Sequence, residues 1–365
     1  MVHRCSALLK VWGAGYFAFM DSEWVVQWGS PVKRIKGVRM SFTAPWRRVA
    51  AWVFAGFLSL GAQAHAQDAS TWPNRPVRII VNYQPGGSTD NATRPYLPHL
   101  AAALGQQFVI ENRGGAAGAI GLEAAAKSPP DGYTFVTTPV SSVTILPQAR
   151  KVPYDPFKDL APVSQFCDYT IILTVHPSIM ASNIKELAAL SKARPNSLNF
   201  GGVGLGTLTQ LIVVMLNQVA GTDMVYIPYK GAGEALPDFL SGAVQAYLDP
   251  NALPHVAAGK AKLLAVIDRV RHPDFPNVPL ITETYPEMDF VGWFGMYAPA
   301  GTPEPIIRKM SEAMARIGRM PDMQAHLLKL AIRPYPGTPE QLGAVMRRDY
   351  DRYGKLIKDF KISMD

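Results

Sequence analysis

The feature that most constrains this chain is a unit that occurs twice: a short apolar strand, a glycine-rich turn and a helix start. The first copy is Val77-Arg78-Ile79-Ile80-Val81, followed by Asn82-Tyr83-Gln84-Pro85-Gly86-Gly87-Ser88-Thr89-Asp90. A β-branched run of this kind marks a strand buried in a sheet. The proline and the glycine pair turn the chain sharply and let its backbone approach another molecule closely. Ser88, Thr89 and Asp90 can each cap the helix that follows. The second copy runs from Leu198-Asn199-Phe200 through Gly201-Gly202-Val203-Gly204-Leu205-Gly206-Thr207, with Leu208, Leu211, Ile212, Met215, Leu216 and Val219 then at helical spacing. One such unit is an ordinary strand-to-helix turn. Two of them predict two α/β domains that each aim unpaired N–H groups at a shared cleft, where an anion can be held. The turns lack the G-K-[ST] of a phosphate loop and the spacing of G-x-G-x-x-G, so nucleotide readings fail.

The chain has 365 residues, enough for two domains with well-sized cores. Its first 66 residues read as an N-terminal extension plus an address label. Arg47-Arg48 precede an apolar run from Val49 to Ala62, and Ala64-His65-Ala66 has the A-x-A form of a cleavage site. This is a Sec-type signal peptide starting most naturally at Met40, with an apolar core too short to span a bilayer. Residues 1–39 show no readable pattern and suggest a start codon assigned too far upstream. Cleavage between Ala66 and Gln67 takes eight basic and two acidic residues away, so the formal +8 falls to 28 basic against 26 acidic groups, a net +2. The basic excess that would point to nucleic acid does not survive processing. Cys167 then has no intramolecular partner and, among apolar strand residues, reads as a buried inert thiol.

Along the mature chain, Pro95 and Pro98 predict a kink in the first helix before His99–Leu104. Phe108 to Glu111 reads as the second strand and Tyr133 to Thr137 as the third, which makes a right-handed parallel βαβαβ unit. The polar tail of that third strand, with Thr138 and Ser141, falls at the same carboxyl edge as the first glycine turn, the edge where open α/β sheets bind ligands. Residues 161–175 read as a crossing into the second domain and Gly292 to Tyr297 as the return. Ser182-Asn183-Ile184-Lys185 has the form S-x-x-K, but the partner motifs of serine acyl-enzymes are missing, and Ser182 reads as a helix N-cap. Ala246-Tyr247-Leu248-Asp249 ends another strand at a turn with Pro250-Asn251, and Asp249 has two readings: a cleft group or a cap for that turn. Thr302-Pro303 reads as an N-cap followed by a first-turn proline, and Thr338 with Gln341 as a capping box.

The absent chemistry matters as much. The five histidines of the mature chain are scattered, with no metal-ligand spacing, and no G-x-S-x-G elbow occurs. No nucleophile–base pair can be assembled, so the reading is a binding protein rather than an enzyme, with no metal and no cofactor. An exported hydrolase is the alternative from another class.

Taken in order, the motifs resemble those of a Bug-family receptor of the tripartite tricarboxylate transporter class. They include Trp72-Pro73, Pro76-Val77-Arg78, Pro85-Gly86-Gly87-Ser88-Thr89-Asp90, Glu111-Asn112-Arg113 and Pro130-Asp131-Gly132-Tyr133-Thr134. Pro228-Tyr229-Lys230-Gly231, Trp293-Phe294-Gly295 and Ala298-Pro299-Ala300-Gly301-Thr302-Pro303 continue the series. The resemblance implies a two-domain periplasmic binding protein fold (type II-like), each domain a mainly parallel sheet flanked by helices, closing on a small carboxylate. It implies export to the periplasm, a monomer, and membrane permease subunits as partners, with presentation to a sensor kinase as the runner-up. Domain 1 is expected over 67–168 and 292–365 and domain 2 over 169–291, with hinges at Cys167–Thr170 and Val291–Trp293. The expected carboxylate anchor is Gly86, Gly87, Ser88, Thr89 and Asp90, with Tyr83 beside them. Thr138 and Ser141 are expected on the same side, and Gly202, Gly204, Gly206 and Thr207 opposite, with Asp249 as a further contact. The second loop departs from the family's small polar pattern: Val203, Leu205 and Leu208, with Val140 and Tyr83, either line an apolar pocket for a monocarboxylate with an aromatic or branched body or pack into the domain 2 core and leave only backbone facing the cleft.

Overall fold

The computed structural model describes residues 16–20, 23–27 and 71–362. The chain divides into two compact units, one ending at His65 and one starting at Ala66. In the first, Tyr16–Met20 and Glu23–Gln27 pair as an antiparallel hairpin, where the sequence shows no pattern. The signal segment expected from Met40 and its cleavage site lie outside the described residues.

In the second unit the strands along the chain are β1 (Val77–Val81), β2 (Phe108–Asn112), β3 (Thr134–Pro139), β4 (Leu160–Tyr169) and β5 (Ile171–Val175). They continue as β6 (Asn199–Val203), β7 (Val225–Tyr229), β8 (Ala246–Leu248), β9 (Lys262–Ile267), β10 (Gly292–Pro299) and β11 (Ile332–Pro334). Six form one sheet in the order β11-β4-β10-β3-β1-β2, and five form another in the order β9-β5-β8-β6-β7. The predicted βαβαβ unit is present: β1 pairs in parallel with both β2 and β3. In the other sheet β6 pairs in parallel with both β7 and β8. Each sheet is then completed by antiparallel strands, so both are mixed rather than mainly parallel.

The reason lies in the crossings. β4 belongs to the first sheet and β5 to the second, with only Thr170 between them. β10 begins at Gly292, paired with Tyr169, and runs antiparallel along β4. A Cβ at Gly292 would stand 2.4 Å from the Tyr169 ring, so a residue without a side chain is needed where the two crossings touch. Behind them Arg333 of β11 pairs with buried Asp268 at 2.8 Å, and Asp268 also accepts the Thr170 hydroxyl at 2.7 Å.

The apolar patterns fold as their periodicity requires. Val77, Ile79, Ile80 and Val81 are fully buried in β1. The kink at Pro95 separates α1 (Ser88–Thr93) from α2 (Tyr96–Leu104). Pro98 sits in the first turn of α2, where its missing N–H costs nothing. α3 (Ala119–Ala126) links β2 to β3, while α4 (Ile184–Ala193) and α5 (Leu208–Ala220) flank the second sheet. α6 (Glu304–Gly318) buries Ile306, Ile307, Met310, Met314 and Ile317 on one face. α7 (Pro339–Asp359) opens with the expected Thr338–Gln341 capping box.

Two caps differ from expectation. α4 is capped by Asn183, whose side chain accepts the Glu186 N–H at 2.9 Å, while Ser182 only donates its own N–H to the Glu186 carboxylate. Before α6 the Thr302 hydroxyl bonds back to the Pro299 carbonyl at 2.7 Å, which leaves Pro303 at the cap position.

Candidate functional site

Strand ends from both sheets and the two crossings enclose a cavity of about 300 Å³. The first sheet contributes the turn after β1 and the turn after β3. The second contributes the turns after β6, β7 and β8. Tyr169, Ile171 and Phe294 of the crossings form its floor.

The turn after β1 is held from outside the cavity. Asp90 is buried, accepts the Gly86 N–H at 3.0 Å and the Asn112 amide at 3.1 Å, and pairs with Arg94 at 2.6 Å. Burial alone would push its carboxyl up, but Arg94, Gly86 and Asn112 outweigh burial and hold it below the ordinary carboxylate value. Asn112 also donates to the Tyr83 carbonyl at 3.0 Å. Gly86 supplies the left-handed φ of +76° that the turn needs and is itself exposed. The effect is to present Gly87, Ser88 and Thr89 on the cavity wall. The first three N–H groups of α1 point out of the helix without intrahelical acceptors.

Opposite, Thr207 caps α5 by accepting the Gln210 N–H at 3.4 Å, and the Gln210 side chain accepts the Gly206 N–H at 2.7 Å. Thr207 and Thr209 share hydroxyl contacts with Tyr226. Both threonines line the cavity, together with Val203 and Leu208. Asp249 does both things the sequence left open. It caps the turn at Pro250 by accepting the Asn251 N–H at 2.9 Å, and it lines the cavity. Its carboxylate accepts the Ser88 hydroxyl, with Oδ1 at 3.1 Å and Oδ2 at 3.2 Å, so the two sides of the cavity touch there. Burial pushes the Asp249 carboxyl up to about 6, only partly offset by Asn251 and Ser88.

Of the residues predicted for the site, Tyr83, Gly87, Ser88, Thr89, Ser141, Thr207 and Asp249 are therefore on the wall. The others are not. Gly86 and Asp90 build the turn from behind. Thr138 is fully buried, bonded to the Asn82 amide at 2.8 Å, and does not line the cavity. Gly202 lies beneath the Tyr226 ring, where a Cβ would come within 2.5 Å. Gly204 and Gly206 face the other half of the molecule: a Cβ on Gly204 would stand 3.3 Å from Ala117, and one on Gly206 2.6 Å from Leu146. Val140 is buried behind the wall and Leu205 is off it.

The sequence reading missed the aromatic floor. Tyr169 and Phe294 stack with centroids 4.5 Å apart, and both face the cavity. It also missed Thr209 and Glu234, the latter an exposed acid at the rim. Among the described residues no lysine, arginine or histidine lines the cavity. Cys167 is fully buried and burial pushes its thiol up, so it offers no nucleophile. Among the described residues no cluster of three or more His, Cys, Asp or Glu side chains could hold a metal, and no helix is long and apolar enough to cross a membrane.

A family model described as the tripartite tricarboxylate transporter family receptor matches residues 94–362. The solved periplasmic binding protein BugD is 30% identical, with a TM-score of 0.75 over 80% of this chain and 99% of that one. An R. palustris protein solved with adipate is 29% identical, with a TM-score of 0.75 and coverage of 80% and 99%. MatC from Rhodopseudomonas palustris, solved with bound malate, is 28% identical, with a TM-score of 0.74 and coverage of 78% and 100%.

Proposed function

The chain belongs to the tripartite tricarboxylate transporter receptor family, and from that premise we propose that it captures a small carboxylate in the periplasm for membrane permease subunits. The observation that carries this reading is the cavity between the two sheets, walled by Ser88, Thr89 and Ser141 on one side and Thr207 and Thr209 on the other. Hydroxyls and helix-start N–H groups suit one carboxylate. Hydrogen bonds to a charged group contribute about 1.5–3 kcal/mol each, and three or four reach the ~8 kcal/mol of micromolar binding. Gly87, Ser88 and Thr89 anchor the carboxylate, and Thr207 closes on it.

The molecule works as two domains, 67–168 with 292–365 and 169–291, that pivot at Thr170 and at Val291–Gly292. The sheet membership of β4, β5 and β10 supports this division. The protein acts as a monomer, after export and without a cofactor. Thermal melts with a panel of small carboxylates test the reading: one of them should raise the melting temperature without product forming. The radius of gyration in solution scattering should fall when that acid is added. Turnover of a bound ester or amide would overturn it.

A further inference from the structure

At the anchor the chain already supplies a carboxylate of its own. The Ser88 hydroxyl, in the first half of the molecule, donates to Asp249 of the second, with Oδ1 at 3.1 Å and Oδ2 at 3.2 Å. A ligand carboxylate held by Ser88 and its neighbours therefore lies beside the Asp249 carboxylate. Asp249 is 7% exposed, and its Oδ1 accepts the Asn251 N–H at 2.9 Å, so turning it away would break the cap of the next turn. Nothing nearby balances two negative charges. Among the described residues, the wall's one other charged side chain is Glu234, an exposed acid on the helix Ala232–Ser241. Asp238 of that helix is bonded to the Tyr229 hydroxyl at 2.7 Å, and Arg94 of the first half is already paired with Asp90. β5 and β6, which pair with β8, carry no ionisable side chain. Burial raises the phenols of Tyr83, Tyr169 and Tyr247, which stay neutral. His255, on the helical turn Leu253–Ala257, does not line the cavity.

Two carboxylates that share a buried site without a cation do not both stay ionised; the pair holds one proton. Resting on the carboxylate reading above, we propose that this receptor takes up its ligand carboxylate together with a proton, which the ligand shares with Asp249 beside Ser88. The proton comes from solvent and lies between an Asp249 oxygen and a ligand oxygen, which frees the Ser88 hydroxyl to donate to the ligand. Burial alone pushes the Asp249 carboxyl up to about 6, so without ligand it is largely ionised at pH 7.5 and the uptake belongs to binding. The bound pair keeps its proton to a higher pH than free Asp249 does. Affinity is therefore greatest at low pH and is lost as pH rises above about 6.

The probes are benzoate, 3-methylbutanoate, glutamate and adipate, whose own carboxyl groups are ionised above about pH 6.5. Calorimetric titration of the mature protein at pH 7.5 in HEPES and in Tris, buffers of different ionisation enthalpy, counts the protons taken up. The expected result is an uptake of about one proton for each acid bound, with affinity falling about tenfold between pH 6.5 and pH 8. Asp249→Asn, whose folding is checked by its melting curve, can donate its amide to the ligand and needs no proton. It should bind with no uptake and a flat pH profile, and at pH 8 at least as tightly as wild type. An acid that binds the wild type with no uptake and no pH dependence overturns the inference and leaves the carboxylate reading standing. A pH slope that survives in Asp249→Asn also overturns it. If no probe binds at pH 6.5 or at pH 8, while the protein melts cooperatively, the carboxylate reading itself falls and takes the inference with it.

Discussion

Asp249→Asn is also the sharpest test of the energetics, without any ligand. Asparagine keeps the shape and keeps an acceptor for the Asn251 N–H and the Ser88 hydroxyl. It removes a charge that burial disfavours. The Asp249 carboxyl is pushed up to about 6 from an ordinary 3.8, a difference that converts to roughly 3 kcal/mol against the ionised folded form. Because the folded value lies above the unfolded one, the folded state binds the extra proton between about pH 4 and 6. Stability contributed by this group is therefore greatest below that window, falls as pH rises through about 6, and stays low at neutral pH. The carboxyl value of about 6 is already net of the bonds from Asn251 and Ser88, so the variant should gain up to about 3 kcal/mol at pH 7.5. At roughly 2–4 °C for each kcal/mol in a large domain, thermal melts followed by circular dichroism resolve that. The expected result is a variant that melts above wild type at pH 7.5, with the gap narrowing at pH 5. Asp168 is pushed up to about 6 by burial as well, so wild type alone mixes two titrations, and only the difference between the two proteins isolates Asp249. A variant less stable than wild type at pH 7.5, or a gap that ignores pH, refutes the argument.

Other substitutions separate building residues from wall residues. Gly86→Ala must place a side chain at φ +76° and should cost about 1–2 kcal/mol in denaturant unfolding. Gly87→Val, at φ −75° with a Cβ 3.3 Å from the Gln84 carbonyl, should leave the fold intact and abolish carboxylate binding in calorimetry; retained affinity would rule out the anchor. Thr207→Ala loses the cap of α5, about 0.5–2 kcal/mol of stability, and should weaken binding as well. Asp90→Ala frees Gly86, Arg94 and Asn112 together, so affinity should drop although Asp90 is off the wall, and hydrogen exchange at Gly86–Thr89 should speed up.

Local patterns made much of this readable. The β1 run and the Pro85–Asp90 turn are contiguous in sequence, so composition alone places a buried strand, a turn and a helix start. The α6 face follows from helical spacing and the α7 start from its capping box. What failed depends on partners distant in the chain. Nothing near Tyr169 announces that Phe294 stacks on it, although Gly292 was a signal that a ring had to be accommodated. Thr138 and Ser141 look equivalent in sequence, but only structure shows that Thr138 turns to Asn82 while the chain enters a helical turn that brings Ser141 to the wall. The glycines after β6 look like one anion loop. Tyr226 needs the absence of a side chain at Gly202, and the opposite half of the molecule needs it at Gly204 and Gly206. Asp90 looks like a ligand contact until Arg94 and Asn112 are seen to occupy it.

Gly204 and Gly206 also act as a doorstop. Where they meet Ala117 and Leu146, bare backbone on one half rests against two aliphatic side chains on the other. If the halves pivot as proposed, how far they approach is limited there, away from the cavity wall. Lengthening Ala117 would prop the jaws wider, and trimming Leu146 would let them bite deeper, with Ser88, Thr207 and Asp249 all unaltered. On that proposal, the size of guest the receptor admits could drift through residues that never meet it, while the groups proposed to read its chemistry stay fixed.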